Sequence, residues 1–149
     1  MYVYLTAGAD DNYDASAYAY IVANFPVQGE RHRGWTVVEA YLHGLLDLSN
    51  FIISKNLYRH VTGFVICTPS QLVINITEHK YLEQLQDIGW RNPNGGYLFH
   101  STILKELYYH HVFYKEREIK WISMTSVGEM EYKLFERCQE YVEKLLNGG

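Results

Sequence analysis

The sequence has little cysteine and little positive charge, and each shortage excludes a class of protein. Only Cys67 and Cys138 occur among 149 residues, which is too few for a disulfide framework or a cysteine metal cluster. Lysine and arginine number 13 against 17 aspartate and glutamate residues, for a formal net charge of −4. Strong nucleic-acid binding needs a cationic face that neutralises phosphates. The composition therefore disfavours a general nucleic-acid binder but leaves a local basic patch open.

Long apolar runs and targeting signals are also lacking. No stretch approaches the ~18 apolar residues of a membrane span. The start, MYVYLTAGADDNYD, has neither the basic region nor the apolar core of a signal peptide. Hydrophobic residues make up 48% of the chain and charged residues 20%, which excludes a disordered protein. We therefore expect a soluble, cytoplasmic protein without membrane contact, folded as a single domain over residues 1–149.

The periodicity of hydrophobic residues predicts a mixture of strands and helices. Apolar or alternating segments predict strands at 2–6, 15–25, 30–35, 61–67 and 118–124. Apolar residues recurring every three or four positions predict helices at 37–55, 70–77, 79–88, 98–110 and from about 130 to about 146. The order β-β-β-α-β-α-α-α-β-α predicts an α/β fold with a mixed five-stranded sheet and helices on both faces. The opening strands would pair antiparallel, and those reached through helices would pair in parallel.

Several short segments resemble the ribonuclease H family, in the same order along the chain. Residues 68–77, TPSQLVINIT, resemble the family's T-D-S-Q-x-V-I-x-x-I-T segment. Residues 5–8, LTAG, resemble the x-T-D-G of its first strand, and residues 136–140, ERCQE, resemble the E-R-C-D-E of its last helix. Gly89–Trp90 and Ile119–Trp121 match the Gly-Trp pair and the last strand. Together with the element order, the resemblance implies a ribonuclease H-like fold.

The resemblance also implies a metal centre, and here the sequence departs from the family. Family enzymes hold two divalent metals between four carboxylates, the hard oxygen ligands that Mg²⁺ prefers. The metals activate a water and stabilise the leaving oxygen of the phosphodiester. The four matching positions carry Ala7, Tyr41, Pro69 and Gln139, and the position of the family's mobile histidine falls near Val127. We therefore expect a degenerate member with no catalytic residues and no metal cofactor.

Nearby acidic residues leave an alternative open. Asp10 and Asp11 follow the first-strand position by three and four residues, and a turn could bring one of them back. The chain would then be a divergent ribonuclease H that uses Mg²⁺ or Mn²⁺ to cleave RNA in RNA/DNA hybrids. Glu39 lies about 200° around a helix from Tyr41. It follows Thr36 at the spacing of a capping box, so we expect it to cap the helix.

Candidate nucleic-acid contacts come partly from the resemblance and partly from charge. Ser70 and Gln71 match residues with which the family contacts the RNA strand, and such side chains can bond a 2′-hydroxyl or a base edge. The alternative is that they open a helix, with Ser70 near its cap. The other candidates are Trp90 and Arg91, in the family's substrate-handling region, and the basic residues Arg31 and Arg33.

Tyrosine is unusually abundant, with 14 residues. Tyr18 and Tyr20 alternate along a predicted strand and therefore share one face. Tyrosine is common at contact surfaces, which predicts a protein contact through this face, such as a homodimer. The alternative is that a helix of the same chain covers it. Overall, we expect an inactive protein that acts by binding a protein partner, a second copy of itself, or an RNA/DNA hybrid or double-stranded nucleic acid weakly.

Overall fold

A single mixed sheet organises the chain. The computed structural model describes residues 1–10, 12, 14–59, 63–77, 79–98, 100–113, 118–123 and 128–148. Its strands are β1 (Tyr2–Ala9), β2 (Ala15–Val22), β3 (Gln28–Arg33), β4 (Gly63–Thr68) and β5 (Glu118–Ser123). They lie in the order β3-β2-β1-β4-β5. The first three pair antiparallel, whereas β4 pairs in parallel with both β1 and β5, as the sequence predicts.

Helices follow the strands in the predicted order. They are α1 (Val37–Ser54), α2 (Gln71–Thr77), α3 (His79–Asp87), α4 (Ser101–Phe113) and α5 (Glu129–Asn147). A short 3-10 turn at Leu57–Arg59, which the periodicity does not indicate, follows α1. None of these helices combines the length and hydropathy needed to span a bilayer, over the part of the chain described.

The predicted bounds differ from the observed ones mainly in the first hairpin. β1 continues past residue 6 because the small residues Ala7 to Ala9 pair in register with Tyr18 to Ser16. β2 ends at Val22 rather than at residue 25, because Ala23 takes a left-handed backbone conformation with φ of 48° and begins a turn. Hydrophobicity alone does not reveal either change, since both depend on backbone geometry.

A capping box begins α1. The Thr36 hydroxyl accepts a hydrogen bond from the Glu39 N–H at 3.1 Å, and the Glu39 carboxylate accepts one from the Thr36 N–H at 3.3 Å. The two residues thereby satisfy N–H groups that a helix start otherwise leaves without partners. The capping role predicted for Glu39 is confirmed.

The sheet separates two apolar cores. The core on the α1 face includes Leu5, Leu42 and Leu48, and the core on the α5 face includes Cys67 and Cys138. Each fully buried leucine contributes about 1.5–3 kcal/mol through loss of apolar surface to water. Both cysteines are free and buried, as predicted for small core residues. Burial raises the pKa of Cys67 to about 11 and that of Cys138 to about 12.

Tyr18 and Tyr20 lie under α1 rather than at the surface. Their rings stack at a centroid distance of 6.4 Å, as expected for one strand face, and each residue is 2% exposed. The Tyr18 hydroxyl donates to Asp47 Oδ2 at 2.8 Å and lies 3.2 Å from Glu30 Oε2. The predicted protein contact through this face is therefore wrong, because a helix of the same chain covers it.

Helix α1 lies very close to the sheet at Gly44. A Cβ atom built there would lie 2.8 Å from Tyr18 Cγ and 3.0 Å from Leu5 Cδ1. Real Cβ atoms do not approach other carbons so closely, and both neighbours are fully packed. The glycine therefore sets the distance between α1 and β2.

We predict that Gly44→Ala destabilises the protein by about 1 kcal/mol. Overpacking costs ~1–3 kcal/mol, and it outweighs the gain of ~1 kcal/mol that alanine brings to a helix interior. Urea unfolding followed by circular dichroism measures the difference. Gly96→Ala is the matched control, because its Cβ would make ordinary contacts at 3.7 Å with the Asn92 side chain. An unchanged or higher stability of Gly44→Ala would contradict the close approach.

Candidate functional site

The carboxyl ends of β1 and β4 meet at one edge of the sheet. The two strands are parallel, with Tyr4 paired to Cys67, so Ala7 near the end of β1 and Pro69 just after β4 lie at the same edge. The first turns of α1 reach this edge as well. Three of the four positions that match family carboxylates therefore share one end of the fold.

The side chain of Tyr41 fills the α1 position of this site. Tyr41 is 8% exposed, and its hydroxyl interacts with the Thr6 side chain and the Ala7 backbone. Burial, the largest effect, raises the pKa of Tyr41 above its ordinary value, although both interactions act in the opposite direction. The phenol is therefore neutral at physiological pH and supplies no anionic oxygen.

The remaining two positions are exposed and uncharged. Pro69 follows β4 directly, and Gln139 lies on α5 next to the buried Cys138. Among the described residues, no group of three or more His, Cys, Asp or Glu side chains is arranged to hold a metal ion. The Val127 position lies outside the described residues.

Asp10 has a structural role in the β1–β2 turn. Its carboxylate accepts a hydrogen bond from the Asp14 N–H at 2.9 Å, and its own N–H donates to the Ala15 carbonyl at 3.1 Å. These bonds direct Asp10 into the turn and stabilise it, as Asx side chains commonly do. Asp11, the other candidate acid, lies outside the described residues.

Ser70 and Gln71 begin helix α2. The Ser70 hydroxyl accepts a hydrogen bond from the Val73 N–H at 3.1 Å, which is the capping geometry weighed from the sequence. Gln71 is exposed, and its amide donates to Asn75 Oδ1 at 2.9 Å. Ser70 is thus engaged in the helix start, whereas the Gln71 side chain lies at the surface.

Trp90 is a core residue rather than a nucleic-acid contact. It is 4% exposed, its indole N–H donates to Gln86 Oε1 at 2.8 Å, and its ring meets that of Tyr108 edge to face. Its backbone takes a left-handed conformation with φ of 62°, which turns the side chain inward after α3. The prediction that Trp90 contacts nucleic acid is wrong for this reason.

Arg91 belongs to a surface group that we call the Tyr97 patch, formed by exposed Arg91 and Tyr97 and by half-buried Lys105. The Arg91 guanidinium lies 4.3 Å from the centroid of the Tyr97 ring and donates to the Gly95 carbonyl at 2.7 Å. The Lys105 ammonium lies 4.9 Å from the same centroid. Two cations are thereby held beside one aromatic ring, an arrangement stabilised by cation–π attraction. The turn sequence NPNGG could have indicated that Arg91 and Tyr97 meet, but nothing local indicates Lys105.

The basic segment of β3 is divided between the two faces of the sheet. Arg31 pairs with Ala17, which belongs to the α5-side core, and Arg33 shares its face by alternation. His32 faces α1 and stacks on Trp35. Within the described part of the chain, the Arg31 Nε is buried without a hydrogen-bond partner. Only Arg33 of the two arginines is well exposed, so the three residues do not form one basic patch.

Comparison with known proteins shows which solved structures share this architecture. No family model matches the chain, and no curated protein does. A foamy viral protease–reverse transcriptase in complex with dsDNA matches with 11% identity and a TM-score of 0.73, over 99% of this chain and 93% of that one. LC11-RNase H1 in complex with an RNA/DNA hybrid matches with 10% identity and a TM-score of 0.64, over 99% and 96%.

A third solved structure, RNase H1 from the halophilic archaeon Halobacterium salinarum NRC-1, matches with 10% identity and a TM-score of 0.54, over 99% of this chain and 98% of that one. The chain has the ribonuclease H-like fold. Identities this low show the fold alone, and they confirm the expected fold class.

A stack of three rings at the start of α1 is a feature that the sequence does not reveal. The Trp35 ring lies 4.1 Å from that of His32, with an angle of 10°, and 4.1 Å from that of His43, with an angle of 8°. His32 belongs to β3 and His43 to α1, so the ribonuclease H-like fold joins them through Trp35. Their separation along the sequence hides this contact.

We predict that Tyr41→Phe destabilises the protein by about 1 kcal/mol, because the buried hydroxyl interacts with the Thr6 side chain and the Ala7 backbone and removing a buried polar partner costs about this much. Chemical unfolding at neutral pH measures the loss. Tyr109→Phe is the matched control, since Tyr109 is 66% exposed and its hydroxyl has access to water. Equal stabilities of the two variants would show that the Tyr41 hydroxyl contributes nothing at this edge.

Proposed function

We propose that this chain is a catalytically inactive ribonuclease H-like protein that acts by binding. The observation that carries the proposal is the buried Tyr41 side chain, which lies against Thr6 and Ala7 where the resemblance implies a metal-binding carboxylate. Hydrolysis by two metals requires anionic oxygen ligands that hold both ions. Ala7, Tyr41, Pro69 and Gln139 offer none, so these residues do not fit a pair of Mg²⁺ or Mn²⁺ ions.

The competing proposal is an active, divergent ribonuclease H that uses Asp10 or Asp11. The hydrogen bond that the Asp10 carboxylate accepts argues against its recruitment, because the Asp14 N–H would lose its partner if Asp10 swung toward Ala7. A single relocated acid would also leave most of the ligand set missing. We therefore favour the inactive protein.

Nucleic acid is one candidate partner, and the Tyr97 patch is the surface that we propose for it. Solved neighbours are complexes with dsDNA and with an RNA/DNA hybrid, which supports a partner of this class. Arg91 and Lys105 supply two cations held near one aromatic ring. The exposed side chains of Arg33 and Gln71 belong to other elements, β3 and α2, and are separate candidate contacts. A chain with net charge −4 offers few phosphate contacts, so we propose that binding is weak.

A protein partner, or a second copy of the chain, is the other binding proposal. Since α1 covers Tyr18 and Tyr20, such a contact would use a different surface. Affinity capture with mass spectrometry, run beside measurements of mass in solution, separates a protein partner from self-association.

We predict that the purified protein does not cleave the RNA strand of an RNA/DNA hybrid with Mg²⁺ or Mn²⁺. The reason is the lack of carboxylates at the four matching positions. Gel analysis of a labelled hybrid measures cleavage. Activity that is lost in Asp10→Asn or Asp11→Asn would overturn the proposal and favour the divergent enzyme.

A variant that combines Ala7→Asp, Tyr41→Glu, Pro69→Asp and Gln139→Asp is the positive control for the site. If the four positions converge as the fold implies, the restored carboxylates should bind Mn²⁺, detected by calorimetry, and the original chain should not. Tight Mn²⁺ binding to the original chain would contradict the proposed loss of the centre.

We predict that hybrid binding is weak and depends steeply on salt. Fluorescence anisotropy at several salt concentrations measures the slope of log K against log salt, which reports the number of phosphate contacts. Arg91→Ala should weaken binding and reduce the slope by about 1 if Arg91 contacts one phosphate. Lys55→Ala, at the C-terminal end of α1 and thus at the opposite end of that helix from Tyr41, is the control of equal charge. Nanomolar binding at physiological salt would contradict this weak mode.

A further inference from the structure

Trp35 is held between two imidazole rings. His32 and His43 both lie 4.1 Å from its ring and nearly parallel to it. Two rings cannot occupy one face of the indole at this distance, so they lie on opposite faces. The stack joins β3, the β3–α1 connection and the second turn of α1.

Trp35 also lines a surface pocket. The pocket has a volume of about 360 Å³ and is lined by Ala9, Gly34, Trp35, Thr36 and Val37. The backbone of Trp35 is anchored separately, because its carbonyl accepts a hydrogen bond from the buried Ser16 hydroxyl at 3.2 Å. If the side chain left the stack, the main chain would therefore stay attached to β2. The side chain would also lose its contact with the Tyr18 ring, whose centroid lies 6.3 Å from that of Trp35.

Several charged groups act on the inner imidazole, that of His43. Burial has the largest effect and lowers its pKa, and the nearby His32 and His100 act in the same direction. The carboxylates of Glu39 and Glu30 act in the opposite direction. Asp47, one turn further along α1, accepts a hydrogen bond from Tyr18.

The sign of the pH dependence follows from these groups. Since the stacked His43 has a lowered pKa, the stacked arrangement binds its proton less readily than an exposed histidine does. The stack is thus fully stable above the ordinary histidine pKa of about 6.5 and loses stability as the pH falls below it.

We propose that His32, Trp35 and His43 form a pH-sensitive latch, which holds the Trp35 side chain while the partly buried His43 ring is neutral and releases it when that ring is protonated. Protonation places a charge on a ring that the fold keeps partly away from water, and this burial outweighs the cation–π attraction that one charged ring gains from the indole. Release would change the shape of the pocket at the start of α1. This inference goes beyond the proposed function and does not depend on it.

The test is fluorine NMR on the full chain labelled with 5-fluorotryptophan, titrated from about pH 8 to about pH 5, the range in which histidine titrates. The Trp35 resonance is assigned with Trp35→Phe. We expect it to shift with a midpoint below about pH 6.5 and to gain a solvent isotope effect as the indole meets water. Circular dichroism should stay constant, and the resonance of buried Trp90 serves as the internal control.

Two variants test which ring controls the release. His43→Phe replaces the partly buried imidazole by an uncharged ring, so this variant should keep the stack and lose the transition. His32→Phe should keep both, because burial, the largest cause of the lowered His43 pKa, remains. A transition that persists in His43→Phe, or that is absent in His32→Phe, would overturn the latch, and so would a Trp35 resonance that does not move in the original chain while His43 titrates.

A measurement on the unsubstituted protein keeps the test decisive if a variant fails to fold. Carbon–proton spectra of the histidine rings give the titration of His43 directly. Its midpoint must coincide with that of the Trp35 resonance, and two separate midpoints would refute the latch.

Discussion

The close seating of α1 on β2 is the constraint on which the rest of this structure depends. At Gly44 the helix has no room for a side chain, because Tyr18 and Leu5 lie where a Cβ would be. This contact fixes the distance between α1 and the sheet, and it fixes which face of α1 is turned toward the sheet. One turn before it, Tyr41 reaches the end of β1, and next to it His43 meets Trp35. The site edge and the ring stack are therefore both consequences of one packing contact.

A polar link reinforces this seating inside an apolar core. Asp47 of α1 accepts a hydrogen bond from Tyr18 and also interacts with Tyr20. Burial, together with Asp47, raises the pKa of both tyrosines, so both remain protonated donors. Buried hydroxyls need such partners to avoid a desolvation cost. The abundance of tyrosine thus serves helix-to-sheet attachment here rather than a contact surface.

The strands, helices and their order could be predicted from the sequence because each element carries its own periodicity. The capping role of Glu39 could also be predicted, since the four residues of a capping box are local. The burial of Tyr18 and Tyr20 could not, because alternation shows that two side chains share a face but not what covers that face. The inward turn of Trp90 depends on a single left-handed backbone conformation, which no composition pattern reveals.

For the candidate site, the sequence predicted the positions but not the contacts between their side chains. Motif matches indicated which positions correspond to carboxylates in the family, and the residues there could be read directly. That the Tyr41 side chain lies against Ala7 required the three-dimensional approach of α1 to β1. The Tyr97 patch and the ring stack bring together residues from separate elements, so their chemistry appears only after the chain folds.

The two buried cysteines allow chemical labelling to detect when α5 separates from the sheet. Cys67 of β4 and Cys138 of α5 belong to the same core, and their high pKa values leave almost no thiolate at neutral pH. Alkylating reagents attack the thiolate, so modification has to wait until α5 lifts from the sheet. The rate of thiol labelling under native conditions therefore measures how often that layer separates, and oxidants meet the same barrier.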